Sequence, residues 1–250
     1  MGLVLENVRF KYGQGKCVLD SVSFEAQEGE LVSVVGRTGS GKTTLGLVMA
    51  GLFAPTEGRV AIKERSAPAG LDVVMVFQFP ESQFFEETVF LEVAYGPICL
   101  GLGAREVRER VEASLQKLGL DAKDFSERSP LTLSEGERRR VAIASALSCE
   151  PRFLILDEPT VSLDWEAAAH IFDVLRELKS GGVSVVVMTH DVEDTVFHSD
   201  RVAVLEGGKI LDLGKPAGGI VNEIYGIFSP PRRSSPKVSP KSQKKKWAGP

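Results

Sequence analysis

The spacing of apolar positions changes along this chain, and the changes divide it. Up to residue 35, short β-rich segments alternate with turns. Val8 and Phe10 run into Lys11-Tyr12-Gly13; Val22, Ser23 and Phe24 run into Glu28-Gly29-Glu30; and the run Leu31–Val35 stops at Gly36. A glycine-rich loop follows, then an apolar helical pattern from Thr43 to Ala50. Pro55-Thr56-Glu57-Gly58 reads as a turn and Val73–Phe77 as a buried strand. Between residues 88 and 147 the period is helical. Val107, Val111, Leu115 and Leu118 recur with Arg and Glu between them, Gly119 closes that helix, and a second helix is predicted over Glu135–Leu147. Alternation then resumes: a strand at Phe153–Leu156, a helix at Glu166–Lys179, a strand at Val183–Thr189, a short helix near Val192–Phe197 and a strand at Val202–Leu205. Alternating β and α segments predict a parallel sheet covered by helices. The block at about 88–147 reads as a helical lobe set into it.

Composition narrows the class. A chain of 250 residues, 43% hydrophobic and 26% charged, suits one large globular domain or a domain with a small second lobe. It is long enough to bury a core without staples. No stretch approaches the ~20 apolar residues that cross a bilayer. The N-terminus enters a strand pattern at Leu3-Val4-Leu5 with no basic segment ahead of an apolar one, so no signal peptide is expected. Cys17, Cys99 and Cys149 are scattered and read as reduced thiols of a cytosolic protein. His170, His190 and His198 have no zinc-site spacing.

Charge adds a boundary. The net charge is −4, yet seven of the 30 basic residues and none of the 34 acidic ones lie in 229–250, which leaves −11 on residues 1–228. The last segment is rich in Pro, Ser and Lys and is expected to be disordered. Two readings stay open for it: a solvated tail, or a contact with anionic lipid headgroups or nucleic acid.

Two motifs carry chemistry. Gly36-Arg37-Thr38-Gly39-Ser40-Gly41-Lys42-Thr43 fits G-x-x-x-x-G-K-[ST] and lies between a buried strand and a helix. Glycines there let backbone N–H groups crowd around phosphate oxygens, and the following helix points its N-terminus at the anion. Lys42 supplies a point charge to the β and γ phosphates, and the Thr43 hydroxyl is a Mg²⁺ ligand. Downstream, Phe153-Leu154-Ile155-Leu156-Asp157-Glu158 is an apolar strand ending in two carboxylates. Asp157 is suited to hold Mg²⁺ and Glu158 to polarise an attacking water.

Between these motifs stands Leu133-Ser134-Glu135-Gly136-Glu137-Arg138-Arg139-Arg140-Val141-Ala142-Ile143-Ala144. It resembles the signature sequence of ABC-transporter ATPases, whose usual core is L-S-G-G-Q, and the resemblance extends over residues 1 to about 215. It implies the ABC ATPase fold: a P-loop NTPase core sheet, an N-terminal antiparallel β subdomain and an inserted helical lobe, all within residues 1–228. It also implies ATP with Mg²⁺. The loop Gly36–Thr43 together with Thr44 binds the phosphates, and Tyr12 matches the aromatic residue that stacks on adenine. Gln78 matches the glutamine that senses Mg²⁺ and couples to the membrane partner, and His190 the histidine that contacts the γ phosphate. Asp164 of Ser162-Leu163-Asp164 belongs to the loop that signals across a dimer. Taken singly, Tyr12, Gln78 and His190 also fit ordinary packing or strand ends.

The resemblance implies that Ser134, Gly136 and Glu137 face the nucleotide of a second ABC subunit; a hydroxyl and backbone N–H groups at a helix N-terminus, which form an anion site, agree with this. Whether that subunit is identical or a paralogue stays open. Glu135 departs from the family core, in which glycine stands at that position. Either it points to solvent, or it weakens the site offered to the partner's ATP.

The stretch after Gln78 refines the likeness. Pro80-Glu81-Ser82-Gln83-Phe84-Phe85, Val89, Glu92-Val93-Ala94-Tyr95-Gly96-Pro97 and Gly101-Leu102 look like the ATPases of energy-coupling-factor importers of vitamins or transition-metal ions. The likeness implies a transmembrane coupling subunit, a substrate-binding membrane subunit and a peripheral position on the cytoplasmic face of the membrane, with no nucleic acid expected. Phe84 and Phe85 would anchor the coupling helices, and Glu81, Glu86, Glu87 and Glu92 could pair with a partner's basic residues. The family's longer C-terminal segment is replaced here by the Lys-rich stretch, though Ile220, Ile224, Ile227 and Phe228 suggest a short remnant. Two other classes remain as alternatives: a soluble ABC ATPase acting on nucleic acid, and a regulatory nucleotide binder.

Overall fold

A computed structural model describes residues 2–63 and 70–228. The predicted disordered tail, 229–250, lies outside the described residues. Nine strands and eight α-helices occur among those described. Strands β1 (Gly2–Lys11), β2 (Cys17–Gln27) and β4 (Glu57–Ile62) form a three-stranded antiparallel sheet in the order β2-β1-β4. Strands β3 (Leu31–Val35), β5 (Val73–Val76), β6 (Phe153–Asp157), β7 (Ser184–Thr189), β8 (Arg201–Glu206) and β9 (Lys209–Gly214) form a six-stranded sheet in the order β5-β6-β7-β3-β8-β9. All its pairings are parallel except β8 with β9.

The continuous apolar runs of β6 and β7 follow from burial on both faces. Leu154, Leu156, Val185 and Val187 enter one core with the helices α2 (Val89–Cys99), α3 (Ala104–Lys117), α5 (Glu135–Ser148) and α6 (Trp165–Ser180). Phe153, Ile155, Val186 and Met188 enter a second core with α1 (Lys42–Met49) and the antiparallel sheet. Helix α4 (Ala122–Phe125) follows α3 in the helical lobe. A third cluster joins Val35 and β8 to α7 (Val192–Val196) and α8 (Ile220–Phe228), with Ile220 and Ile224 buried and Ile227 and Phe228 packed against them. The suggested C-terminal remnant is therefore a helix docked on the core.

Two elements depart from the sequence reading. The predicted turn at Pro55–Gly58 covers only the approach to β4, which begins at Glu57. That strand is exposed over its first three residues, so no alternation marks it. β9 was not expected either. It is an edge strand, mostly half-buried or exposed, reached through Gly207-Gly208, both of which take positive φ (57° and 76°) as a tight hairpin turn requires.

Ile155 is fully buried in an interior strand. Ile155→Ala is expected to cost about 2–5 kcal/mol in urea unfolding. A cost below about 1 kcal/mol would contradict the burial of β6 on both faces.

Candidate active site

β6, β7 and β3 are consecutive neighbours, with Asp157 opposite Met188 and Val35 opposite Thr189. The residues that follow them therefore meet at the carboxyl edge, where open α/β sheets bind ligands. The ladder continues one residue further on each side: Gly36 N–H donates to the Thr189 carbonyl at 3.1 Å and Glu158 N–H to the Met188 carbonyl at 2.8 Å.

From Gly36 the chain wraps into the loop that opens α1. A Cβ on Gly36 would stand 2.5 Å from Ser40 Oγ and 2.6 Å from the Leu205 carbonyl oxygen, so only glycine fits. Gly41 is the N-cap of α1 at φ 104° and provides no side-chain cap, which leaves first-turn N–H groups for an anion. Ser40 Oγ is buried without a hydrogen-bond partner. An orphaned hydroxyl beside an uncapped helix start fits a phosphate group. Lys42 Nζ donates to the Gly36 carbonyl at 2.8 Å and lies 3.4 Å from Glu158 Oε1, both side chains being almost fully buried.

The carboxylates are held differently. Thr43 Oγ1 donates to Asp157 Oδ2 at 2.6 Å. Burial is the main cause raising the Asp157 carboxyl above its ordinary range; the Thr43 bond opposes it, the neighbouring Glu158 charge adds to it, and Lys42 and Arg139 oppose it. Glu158 sits at φ 52°. Its Oε2 accepts from Thr189 Oγ1 at 2.9 Å, and its Oε1 accepts from His190 N–H at 3.1 Å and lies 2.8 Å from His190 Nδ1. Lys42, Thr43, Gln78, Asp157, Glu158 and His190 line one cavity of about 260 Å³, with Thr38, Gly39, Gly41 and Thr44 in its wall. A larger hollow of about 850 Å³ in the helical lobe holds none of these residues and has mixed surface charges.

A phosphate cradle, a strand-end acid pair and a histidine in one cavity describe a nucleotide hydrolase. The ABC transporter family model matches residues 19–161. The chain belongs to the ABC transporter family. It is 41% identical over 234 residues to the energy-coupling factor transporter ATP-binding protein EcfA2 of Symbiobacterium thermophilum, spanning 86% of this chain and 79% of that protein. It is 38% identical over 221 residues to EcfA of Methanocaldococcus jannaschii, spanning 84% and 78%. Among solved structures it resembles cbiO1 of Clostridium perfringens, part of the ABC transporter complex cbiONQ, with TM-score 0.78, 29% identity and 89% and 92% of the two chains covered. It also resembles the dimeric cassette MJ0796 in a post-hydrolysis state bound to ADP and Pi, with TM-score 0.74, 29% identity and 86% and 99% covered. The fold is that of the ABC ATPases, and this chain is an ATP-binding ATPase subunit of that family.

The remaining predicted site residues of this ABC ATPase lie outside the cavity. Tyr12 is half-exposed, its ring edge-on to Phe10 and Phe53 and its hydroxyl 3.0 Å from Thr44 Oγ1, which sets it beside the start of α1. Arg37 turns outward and donates to the Phe228 carbonyl at the end of α8, 3.1 Å away. Ser134 is the N-cap of α5. Its hydroxyl accepts from Glu137 N–H while the Glu137 carboxylate accepts from Ser134 N–H at 2.8 Å and pairs with Arg128. Glu137 is held below its ordinary pKa, chiefly by that Ser134 N–H bond. Gly136 adjoins Leu163, Glu135 is exposed, and Asp164 caps α6 by accepting from Ala167 N–H at 2.8 Å.

Sequence reasoning missed two features here. Val18 of β2 reaches the cavity wall, and a Cβ on Gly41 would lie 3.2 Å from it. Arg139 is buried and donates to the Glu158 carbonyl at 3.0 Å. Three successive arginines on one helix point in three directions, so which of them turns inward is decided by the packing around α5.

Two expectations are corrected: Phe84 packs against the buried core rather than standing out as an anchor, and Glu92 turns inward. Glu92 does not face a partner; it is 4% exposed, and its Oε2 accepts from the N–H groups of Phe85 and Glu86 at 3.1 and 3.0 Å. Burial raises its carboxyl pKa against those two bonds. The cause is the pitch of α2, which puts Glu92 on the same inward face as Val89 and Val93. Glu92→Ala should cost about 1–3 kcal/mol of stability by leaving buried donors unpaired, and should speed amide exchange at Phe85 and Glu86. Unchanged exchange at both amides would contradict this pinning.

Proposed function

We propose that this chain is the energy-coupling ATPase subunit of an energy-coupling-factor type importer. It would sit as a peripheral subunit on the cytoplasmic face of the membrane. It pairs with a second ABC ATPase subunit and docks on a transmembrane coupling subunit that works with a substrate-binding membrane subunit; no nucleic acid takes part. Residues 1–228 are taken as the ATP-binding domain, with 88–147 as its helical lobe. The relatives named as energy-coupling factor transporter ATP-binding proteins support the energy-coupling-factor class.

The observation that carries the site assignment is the meeting of Lys42, Thr43, Asp157 and Glu158 at one strand edge. Lys42 and the loop N–H groups take the phosphates, and Tyr12 lies where a base can stack. Thr43 and Asp157 would hold Mg²⁺ with Gln78 beside them; when bound, the ion would neutralise phosphate charge. Glu158 accepts a proton from the attacking water, and His190, whose Nδ1 lies 2.8 Å from that carboxylate, contacts the γ phosphate. Ser134, Gly136 and Glu137 at the start of α5, with Asp164 nearby, face the nucleotide of the second subunit.

The membrane contact is assigned to the segment after Gln78. Phe85 is 62% exposed, its ring edge-on to exposed Tyr95 at 4.6 Å, and Phe79 and Ile98 are exposed on the same segment. Aromatic anchors of this kind suit an apolar partner helix. Phe84 packs inward on the core and serves as a support.

Glu158→Gln is expected to leave ATP binding intact and lower turnover by about 10²–10⁴-fold, measured as steady-state phosphate release. Normal turnover in that variant would sink the assignment. Affinity purification from native membranes should bring down a multi-spanning membrane subunit with the wild type and much less of it with Phe85→Asp. Equal recovery would move the contact elsewhere.

A further inference from the structure

Among the described residues, the charged side chains buried below a tenth of their surface are Lys42, Glu92, Arg139, Asp157 and Glu158. Glu92 belongs to the helical lobe, and the other four gather at the strand edge. Lys42 faces the cavity and has its role there. Arg139, 2% exposed, lines no part of the cavity. It stands on α5, the helix whose N-terminus is the signature, and reaches the backbone that follows β6.

Its guanidinium donates to the Glu158 carbonyl at 3.0 Å and to the Val161 carbonyl at 3.5 Å. These are carbonyls of the segment that connects Glu158 to Asp164. That segment takes left-handed backbone at two non-glycine residues, Glu158 at φ 52° and Ser162 at φ 64°. Side chains disfavour this conformation, so it persists where the surroundings hold it. The N–H of Glu158 is held by Met188 and its C=O by Arg139. A planar fork that is always charged and reaches two carbonyls suits such a clamp; lysine offers a single point charge.

We propose that Arg139 is a positioning residue that couples the signature helix to Glu158 of its own subunit, so that a nucleotide engaged by the start of α5 in the partner's site sets the orientation of this subunit's carboxylate. Gly136, one turn earlier on α5, adjoins Leu163 of the same connecting segment: a Cβ there would lie 3.5 Å from the Leu163 side chain. This rests on the reading of Glu158 as the group that polarises water. It makes α5 more than a lid for the neighbouring site: a shift of the helix is passed to the connecting segment through one hydrogen bond at Glu158 and a second at Val161.

The test is steady-state ATPase of the assembled complex carrying Arg139→Gln or Arg139→Lys, alone and combined with Glu158→Gln, with ATP binding and thermal unfolding measured alongside. Arg139→Gln should lower kcat at least tenfold with ATP affinity within threefold of wild type. Arg139→Lys, which keeps the buried charge without the fork, should recover part of that loss. In the Glu158→Gln background Arg139→Gln should remove less than twofold more, because it acts through the same carboxylate. Independent, multiplying losses would overturn the proposal. So would an unchanged kcat with lowered unfolding temperature, or loss of the fold in both Arg139 variants, either of which would make Arg139 a packing element. Normal turnover in Glu158→Gln alone would instead fail the reading of Glu158 and leave the Arg139 contrast to be read by itself.

Discussion

Two adjacent carboxylates at the end of a buried strand are a costly arrangement. Asp157 and Glu158 are 3% and 5% exposed, and the Glu158 charge adds to the burial that raises the cost of ionising Asp157. The arrangement holds because Lys42 comes within 3.4 Å of Glu158, Thr43 bonds Asp157, and Arg139 donates to the Glu158 carbonyl and favours the Asp157 charge. An unpaired buried charge costs several kcal/mol, so this corner of the fold is tightly specified. Lys42 and Thr43 reach it only because the glycine loop brings the start of α1 to the edge of β3. The carboxylates reach it only because β6 is one strand removed from β3. The strand order β6-β7-β3 is in this sense a requirement of the chemistry.

Most of the β6-β7-β3 region was legible in the chain because its signals are local. The loop Gly36–Thr43 is one contiguous motif, and the strand before Asp157 is a run of four apolar residues. The signature at Leu133–Glu137 supplied the family, and the cap at Ser134 with Glu137 three residues on is a pattern that can be read directly. What escaped depends on tertiary placement. β4 and β9 are edge strands with too little burial to show a period, although Gly207-Gly208 was a hairpin signal. Glu92 looked like one of four acids available to a partner, and only the register of α2 turns it inward onto the Phe85 and Glu86 amides. Arg139 could be separated from Arg138 and Arg140 only once both flanks of α5 were known.

The fold also sets two surfaces at different distances from the chemistry. The start of α5 and the segment through Asp164 adjoin each other through Gly136 and Leu163, and form the face that suits a second cassette. The Phe85 and Tyr95 rings lie after Gln78, which itself lines the nucleotide cavity. A movement at the phosphates therefore has a short covalent route to the aromatic pair, and Glu92 keeps that route stiff. Glu135, exposed at the start of α5, places an acid where the family core has glycine, on the face proposed to meet the second subunit.

The central claim is that the buried cation Lys42 serves both the carboxylates and an incoming triphosphate. Isothermal titration of ATP into the purified wild type and Lys42→Ala tests it most directly. The account predicts an affinity at least about 100-fold weaker in the variant, a loss of roughly 2.7 kcal/mol. Equal affinity in the two proteins would contradict it.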